Sequence, residues 1–348
     1  HRPRAPSPLG ASPTVGALRW RPPTRDDDEA WAELLAAIEA VDRRGEAYGA
    51  QDLDDEWRSV WAHPETDAVF GWDGAQLAAF GWLKTQPSAA GPHRIELWGG
   101  VRPSHRGRGI GSELLDRMVA RAEAVAAALP GTAPVALHLT LLATQEDAVR
   151  LAGARGFRRV REFLELVRPL DVPVPDAPPV PGLRLHRWEP ALDAATRDAH
   201  ADSFRDHWGS EPRTEEEWRQ WYTGHRGFRP DLSAVAVSSA GEVAGLVLSA
   251  AYPLDWETGV APVELWVSTV GTRRAWRGRG VARWLLTEVL RAARGAPTGF
   301  ERVILGVDAE NPTGALALYR GLGFRAVRSV GTWERLVRAD RAAETPLG

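Results

Sequence analysis

The chain repeats itself. Leu18-Arg19 returns as Leu183-Arg184, Arg106-Gly-Arg-Gly-Ile-Gly111 as Arg277-Gly-Arg-Gly-Val-Ala282, and Gly156-Phe157 as Gly323-Phe324, at spacings of 165, 171 and 167 residues. Three markers in one order at near-constant spacing are the mark of a duplicated unit. Between the copies, residues 171–182 (DVPVPDAPPVPG) hold five prolines, a density that stiffens a segment toward polyproline II and keeps it out of a central strand. The expected organisation is one domain over 17–170, a linker over 171–182 and a second domain over 183–338. A Pro/Ser/Ala-rich tail at 1–16, expected to be disordered, and a short tail at 339–348 complete the chain. The 348 residues suit two domains, each large enough to bury a core.

Several functional classes fall away early. With no cysteine, the chain has no disulfide framework, thiolate metal site or thiol nucleophile. A net charge of -3 argues against a dedicated nucleic-acid binder. Lys84 is the sole lysine among 43 basic residues, so arginine reflects a coding bias and a single arginine says little about function. The nine histidines show no paired ligand spacing, and no metal is expected. No apolar run nears the roughly 20 residues of a membrane span, and no signal-like apolar stretch lies near the start. The expectation is a cytoplasmic protein without nucleic-acid or membrane partners, and a monomer, since the duplication already pairs two units.

Each copy reads as mixed α/β, a central sheet flanked by helices. A short strand (17–21; 183–188) precedes a helical pattern, with Trp31, Leu34, Leu35 and Ile38 on one face. Two β-rich runs follow in each copy, turning at Asp73-Gly74 and Ala240-Gly241. A further strand (93–101; 263–270) leads into the Gly-rich segment and a long helix (109–129; 280–294). A strand (135–142; 301–307), a helix (145–154; 312–321) and a final pair of strands close each copy.

The Gly-rich segment carries the chemistry. Successive glycines let several N–H groups converge, and a following helix adds its unpaired donors and positive end. The result is an anion cradle suited to a diphosphate; the plainer reading is a Gly-rich strand-to-helix connection. A nucleotide P-loop would need Lys then Ser or Thr, and the dinucleotide fingerprint a third glycine, at places held by Ser112 and Arg283.

The pattern Arg-x-x-Gly-x-Gly/Ala between a strand and a long helix resembles the GNAT N-acyltransferase superfamily. The first copy shows Val101-Arg-Pro-Ser-His-Arg106-Gly-Arg-Gly109-Ile-Gly111, the second Thr272-Arg-Arg-Ala-Trp-Arg277-Gly-Arg-Gly280-Val-Ala282. The second adds Asn311-Pro-Thr-Gly-Ala-Leu-Ala-Leu-Tyr319-Arg-Gly-Leu-Gly-Phe324, similar to the family's later motif. The resemblance spans residues 18–338 and implies two tandem GNAT domains with acetyl-CoA or another acyl-CoA as donor, held where the fourth and fifth strands diverge. By that likeness the donor would meet Val267, Ser268, Thr269, Thr272, Arg277, Gly278, Arg279, Gly280, Val281, Ala282 and Asn311. In the first copy it would meet Val101, Arg106, Gly107, Arg108, Gly109, Ile110 and Gly111. The acceptor would be a small-molecule amine.

The copies divide the family's acid and base features. Shifting by 167 residues maps Tyr319 onto Ala152 and Asn311 onto Thr144. The resemblance implies that Tyr319 protonates the departing thiolate; the plainer reading is a half-buried helix aromatic. A family base lies ten residues before the motif arginine, at Glu96 in the first copy and Val267 in the second. Glu264, expected on the opposite sheet face from Val267, is either a base acting through water or an ordinary strand charge. These features favour a catalytic second domain with a degenerate first one; Glu96 keeps the opposite assignment open, and a CoA-binding protein without turnover is a further alternative. Asp206, His207 and Trp208 follow the first helix of the second copy. They either line the amine pocket, with Asp206 attracting a cation, or pack and cap helices.

Overall fold

The computed structural model describes residues 18–88, 91–208, 210–311 and 314–338; the expected tails at 1–16 and 339–348 lie outside them. Both copies contribute to one sheet. Its strands are β1 (Arg19–Arg21), β2 (Ala68–Asp73), β3 (Gln76–Gln86), β4 (His93–Val101), β5 (Val135–Leu142), β6 (Arg158–Pro169), β7 (Leu183–Arg187), β8 (Ala234–Ser238), β9 (Val243–Ala250), β10 (Glu264–Thr272), β11 (Arg302–Asp308) and β12 (Arg325–Arg338). The helices are α1 (Asp28–Asp42), α2 (Ala50–Trp57), α3 (Pro64–Asp67), α4 (Ile110–Ala128), α5 (Glu146–Ala154), α6 (Asp193–Phe204), α7 (Glu215–Trp218), α8 (Pro253–Glu257), α9 (Val281–Arg294) and α10 (Ala315–Gly321).

Local chemistry accounts for the common frame. The hairpins β2–β3 and β8–β9 turn at Gly74 (φ 59°) and Gly241 (φ 81°), left-handed positions that suit glycine. In α4 the apolar positions Ile110, Leu114, Leu115, Met118, Ala122 and Ala126 form one buried stripe, packed on Ile95, Leu97 and Leu137. In α9 the stripe is Val281, Trp284, Leu285, Val289 and Leu290, packed on Leu265, Val267 and Val303. The other sheet face is covered by α1 and α2 in the first half, around Trp31, Phe70 and Trp82. In the second half Ala199 of α6 and Trp218 of α7 cover Val235, Leu246 and Leu248.

The last strands differ from expectation. Each half ends in one long strand, not a pair, and the strand order is β1-β2-β3-β4-β5-β12-β6-β11-β10-β9-β8-β7. Strand β6 of the first half pairs antiparallel with β11 of the second, and β12 pairs with β5 and β6. The run from Arg158 to Val167 holds no turn residue, so nothing folds it back on itself. Long neighbours on both sides satisfy its backbone groups instead. The proline-rich segment forms no strand, but it is not a loose tether. Ala177 and Val180 are buried in the second core, and the buried Arg168 donates to the carbonyls of Leu322 (2.6 Å) and Pro173 (2.8 Å).

Candidate active site

Strands β10 and β11 pair in parallel only from Glu264–Arg302 to Val267–Leu305. Opposite β9, Val267 faces Ser249 and Thr269 faces Leu248. Ser268 is therefore an extra residue, a β-bulge that leaves it without a partner there. Beyond it the strands part, and a cavity of about 420 Å³ opens between them. Gly278 (φ 72°) and Gly280 (φ 83°) bring the chain into α9 at the cavity edge. A Cβ on either would meet nothing within 4 Å, so it is backbone conformation rather than crowding that calls for glycine.

Val267, Ser268, Thr269, Thr272, Arg277, Gly278, Gly280, Val281, Ala282, Asn311 and Tyr319 all line this cavity, as do His207 and Trp208. Arg279 does not; its guanidinium lies 4.8 Å from the Trp276 ring centre. Asp206 also lies outside, in ion pairs with Arg274 and Arg277 (3.5 Å to the latter), so its charge is directed to the cradle rather than the cavity. Glu264 is buried and outside the lining: Arg302 Nε donates to its Oε2 at 2.7 Å and Trp266 Nε1 to its Oε1 at 3.2 Å.

The cavity suits a diphosphate-bearing thioester with an amide arm. The hydroxyls of Thr269 and Thr272 are buried and have no hydrogen-bond partner among the described residues, a costly state that a polar ligand would relieve. Arg277 is held at the cradle by the Ser203 carbonyl (2.8 Å). Tyr319, 7% exposed, projects from α10 and packs edge-on to Phe324 at 6.0 Å. Burial pushes its phenol up to about 12, so it is a protonated donor at neutral pH. His207 is half-buried on the turn after α6, with its ring 4.6 Å from Phe204. Burial, then the Arg277 charge, lowers its pKa.

The first half keeps the cradle backbone, with Gly107 at φ 76° and Gly109 at φ 80°, but furnishes it differently. Arg106 makes two hydrogen bonds to Asp42 (2.7 and 3.1 Å), and Gln145 Nε2 also donates to that carboxylate (3.2 Å). Counting back from the cradles, Trp98 stands where the second half has Thr269, and Val101 where it has Thr272. Trp98 packs on Trp31, Phe80 and Tyr48. The bulge also changes which residue matches Glu96. Ile95 and Leu97 face α4 as Leu265 and Val267 face α9, so Glu96 corresponds to Trp266, and Glu264 to Arg94. A ten-residue count lands on Val267 only because it counts the extra Ser268. None of the first-half residues singled out in the sequence (Glu96, Val101 and Arg106–Gly111) lines the second-half cavity.

One lining residue escapes any reading of the second copy alone. Phe163 belongs to β6, paired with Asp308 of β11, and lines the cavity. Trp208, also in the lining, reaches the first half, stacked on His138 (5.8 Å) with Arg94 and Arg161 each 5.4 Å from its ring. The cavity lining thus draws on both halves.

The acetyltransferase (GNAT) family profile matches residues 29–157 and again 194–324. The chain belongs to the GNAT acetyltransferase family and is a tandem member of it. A mycothiol acetyltransferase of Thermobispora bispora is 31% identical over 261 residues, covering 73% of this chain and 78% of that protein. One from Salinispora arenicola is 29% identical over 86% of this chain and 92% of its own length. Among solved structures, a GCN5-related N-acetyltransferase from Sphaerobacter thermophilus aligns with TM-score 0.71 and 26% identity, covering 92% of this chain and 96% of that one. A tandem GNAT protein from the clavulanic acid biosynthesis pathway shares the fold, with TM-score 0.68 and 20% identity, over 92% of this chain and 98% of its own. GNAT acetyltransferases take their acetyl group from acetyl-CoA. No helix among the described residues is long and apolar enough to cross a membrane, and no group of three or more His, Asp or Glu among them is arranged to hold a metal ion.

Proposed function

We propose that the second half transfers the acetyl group of acetyl-CoA to a primary amine of a small molecule, with Tyr319 as general acid, and that the first half is a degenerate copy without turnover. The observation that carries this reading is a single cavity that holds a glycine cradle at one edge, two unpartnered threonine hydroxyls along its wall and a protonated phenol. Bound acetyl-CoA supplies an activated acyl group whose carbon–sulfur bond must be broken. Gly278, Gly280 and the first turn of α9 would bind its diphosphate, with Arg277 beside them. Thr269 and Thr272 would satisfy its amide arm. The Ser268 bulge offers unpaired backbone toward the reacting carbonyl, and Tyr319 gives its proton to the departing sulfur.

An alkyl ammonium is only about one part in a thousand free base at pH 7, so the site must also take up a proton. Likeness to mycothiol acetyltransferases makes a cysteinyl amine the first acceptor to test, ahead of other small-molecule amines. Acetyl-CoA binding is measured by calorimetry and turnover by release of the CoA thiol. Replacing Tyr319→Phe is expected to lower kcat at least about ten-fold with acetyl-CoA affinity unchanged. Unchanged turnover removes Tyr319 from the mechanism, and binding without turnover of any amine leaves a CoA-binding protein.

A further inference from the structure

Acetyl transfer to an ammonium needs a destination for the amine's proton. Glu264 has both carboxylate oxygens engaged, by Arg302 and Trp266, and lies outside the cavity. Asp206 is paired to Arg274 and Arg277. Asp308 lines the cavity but accepts the backbone N–H of Glu310 at 2.9 Å. Of the lining side chains that can accept a proton, His207 is the one with no hydrogen bond to its accepting atoms among the described residues. Its position is fixed by its own backbone, whose N–H donates to Phe204 at 2.9 Å and whose carbonyl accepts from Ser210 at 3.1 Å. It lines the same cavity as Phe163 and as Trp208, its neighbour in the chain.

Resting on the acetyltransfer reading, we propose that His207 is the catalytic base that takes the proton from the acceptor ammonium. The freed lone pair forms the nitrogen–carbon bond as the carbon–sulfur bond breaks. Of the two protons the nitrogen loses, one passes through His207 to solvent and the other, through Tyr319, ends on sulfur. The charged groups around the imidazole are Arg277, Asp206 and Asp308, with His200 as a further titratable neighbour. Arg277 and burial keep the ring neutral before the reaction, while Asp308 and Asp206 favour the imidazolium once formed. Cavity partners whose environments drive a phenol up and an imidazole down are matched as acid and base.

The test uses the full chain and its His207→Gln variant with two probes, S-methyl-L-cysteinol and the less basic S-methyl-L-cysteine methyl ester. Expected is equal acetyl-CoA binding by both proteins. The variant should lose at least about ten-fold in kcat/KM with the amino alcohol, and clearly less with the ester, whose amine is more often already neutral. The acid limb of the wild-type pH profile should vanish in the variant. An equal loss for both probes, or an unaltered acid limb, overturns the assignment in favour of a packing role. Turnover of neither probe by the wild type overturns it as stated, and failure of the wild type to bind acetyl-CoA instead sinks the underlying acetyltransfer reading.

Discussion

The two halves share a backbone and differ in what they place on it. Both carry left-handed glycines ahead of a long helix. In the second half the strand leading to the cradle offers Thr269 and Thr272, hydroxyls in search of partners, and α10 offers Tyr319. In the first half the matching places hold Trp98, Val101 and Ala152, and a carboxylate from α1 already occupies the cradle arginine. The Arg106–Asp42 pair is the tighter one, with two hydrogen bonds at 2.7 and 3.1 Å against a single 3.5 Å approach of Asp206 to Arg277. On the proposed reading, a glycine loop alone does not make a thioester site. The groove beside it must stay open and polar; a carboxylate at the arginine does not by itself separate the halves, since Arg277 has Asp206 at 3.5 Å.

The sharpest way to break the comparison is to move a first-half residue into the second. Thr269→Trp should fill the groove and weaken acetyl-CoA binding about 10–100-fold, the range set by overpacking; unchanged affinity in calorimetry would mean that the groove is elsewhere. Phe163→Ala acts across the halves: it should raise the acceptor KM several-fold while leaving acetyl-CoA affinity intact, as loss of a wall on the acceptor side would. If kinetics show donor affinity falling instead, β6 contributes to the donor groove. Asp42→Asn probes the cradle of the first half. Loss of its charge-assisted bonds should cost about 1–3 kcal/mol in denaturant unfolding, with turnover in the second half unchanged.

A pH-dependent effect concerns the contact between halves, where the Ala47 N–H donates to Asp255 at 2.7 Å. Burial first, with nearby carboxylates adding, pushes Asp255 up to about 6 from 3.8. A carboxyl raised in the folded state favours folding below its unfolded pKa and loses that contribution as pH rises through the folded value. Asp255→Asn should therefore flatten the decline in stability between about pH 4 and 6, read from thermal unfolding across that range.

Much of this was visible beforehand for local reasons. The duplication, both hairpins and the long helices after the cradles follow from patterns of glycines and apolar spacing, whereas Tyr319 was singled out by the family resemblance alone. What stayed hidden is non-local or a matter of one residue. The pairing of β6 with β11 depends on which long strands lie side by side, which no periodicity within Arg158–Pro169 records. Phe163 therefore could not be linked to a cavity in the other half. The bulge at Ser268 inserts one residue without a composition signal, and it displaced the match to Glu96. Glu264 reads as a free strand carboxylate until the parallel register places Arg302 beside it.

The proposal that the second half alone turns over sharpens to one in which it alone holds the donor, and titrating the full chain with acetyl-CoA in a calorimeter tests this. The account predicts one molecule bound per chain, lost on Thr269→Trp. Two molecules per chain, or one that survives that substitution, would contradict it.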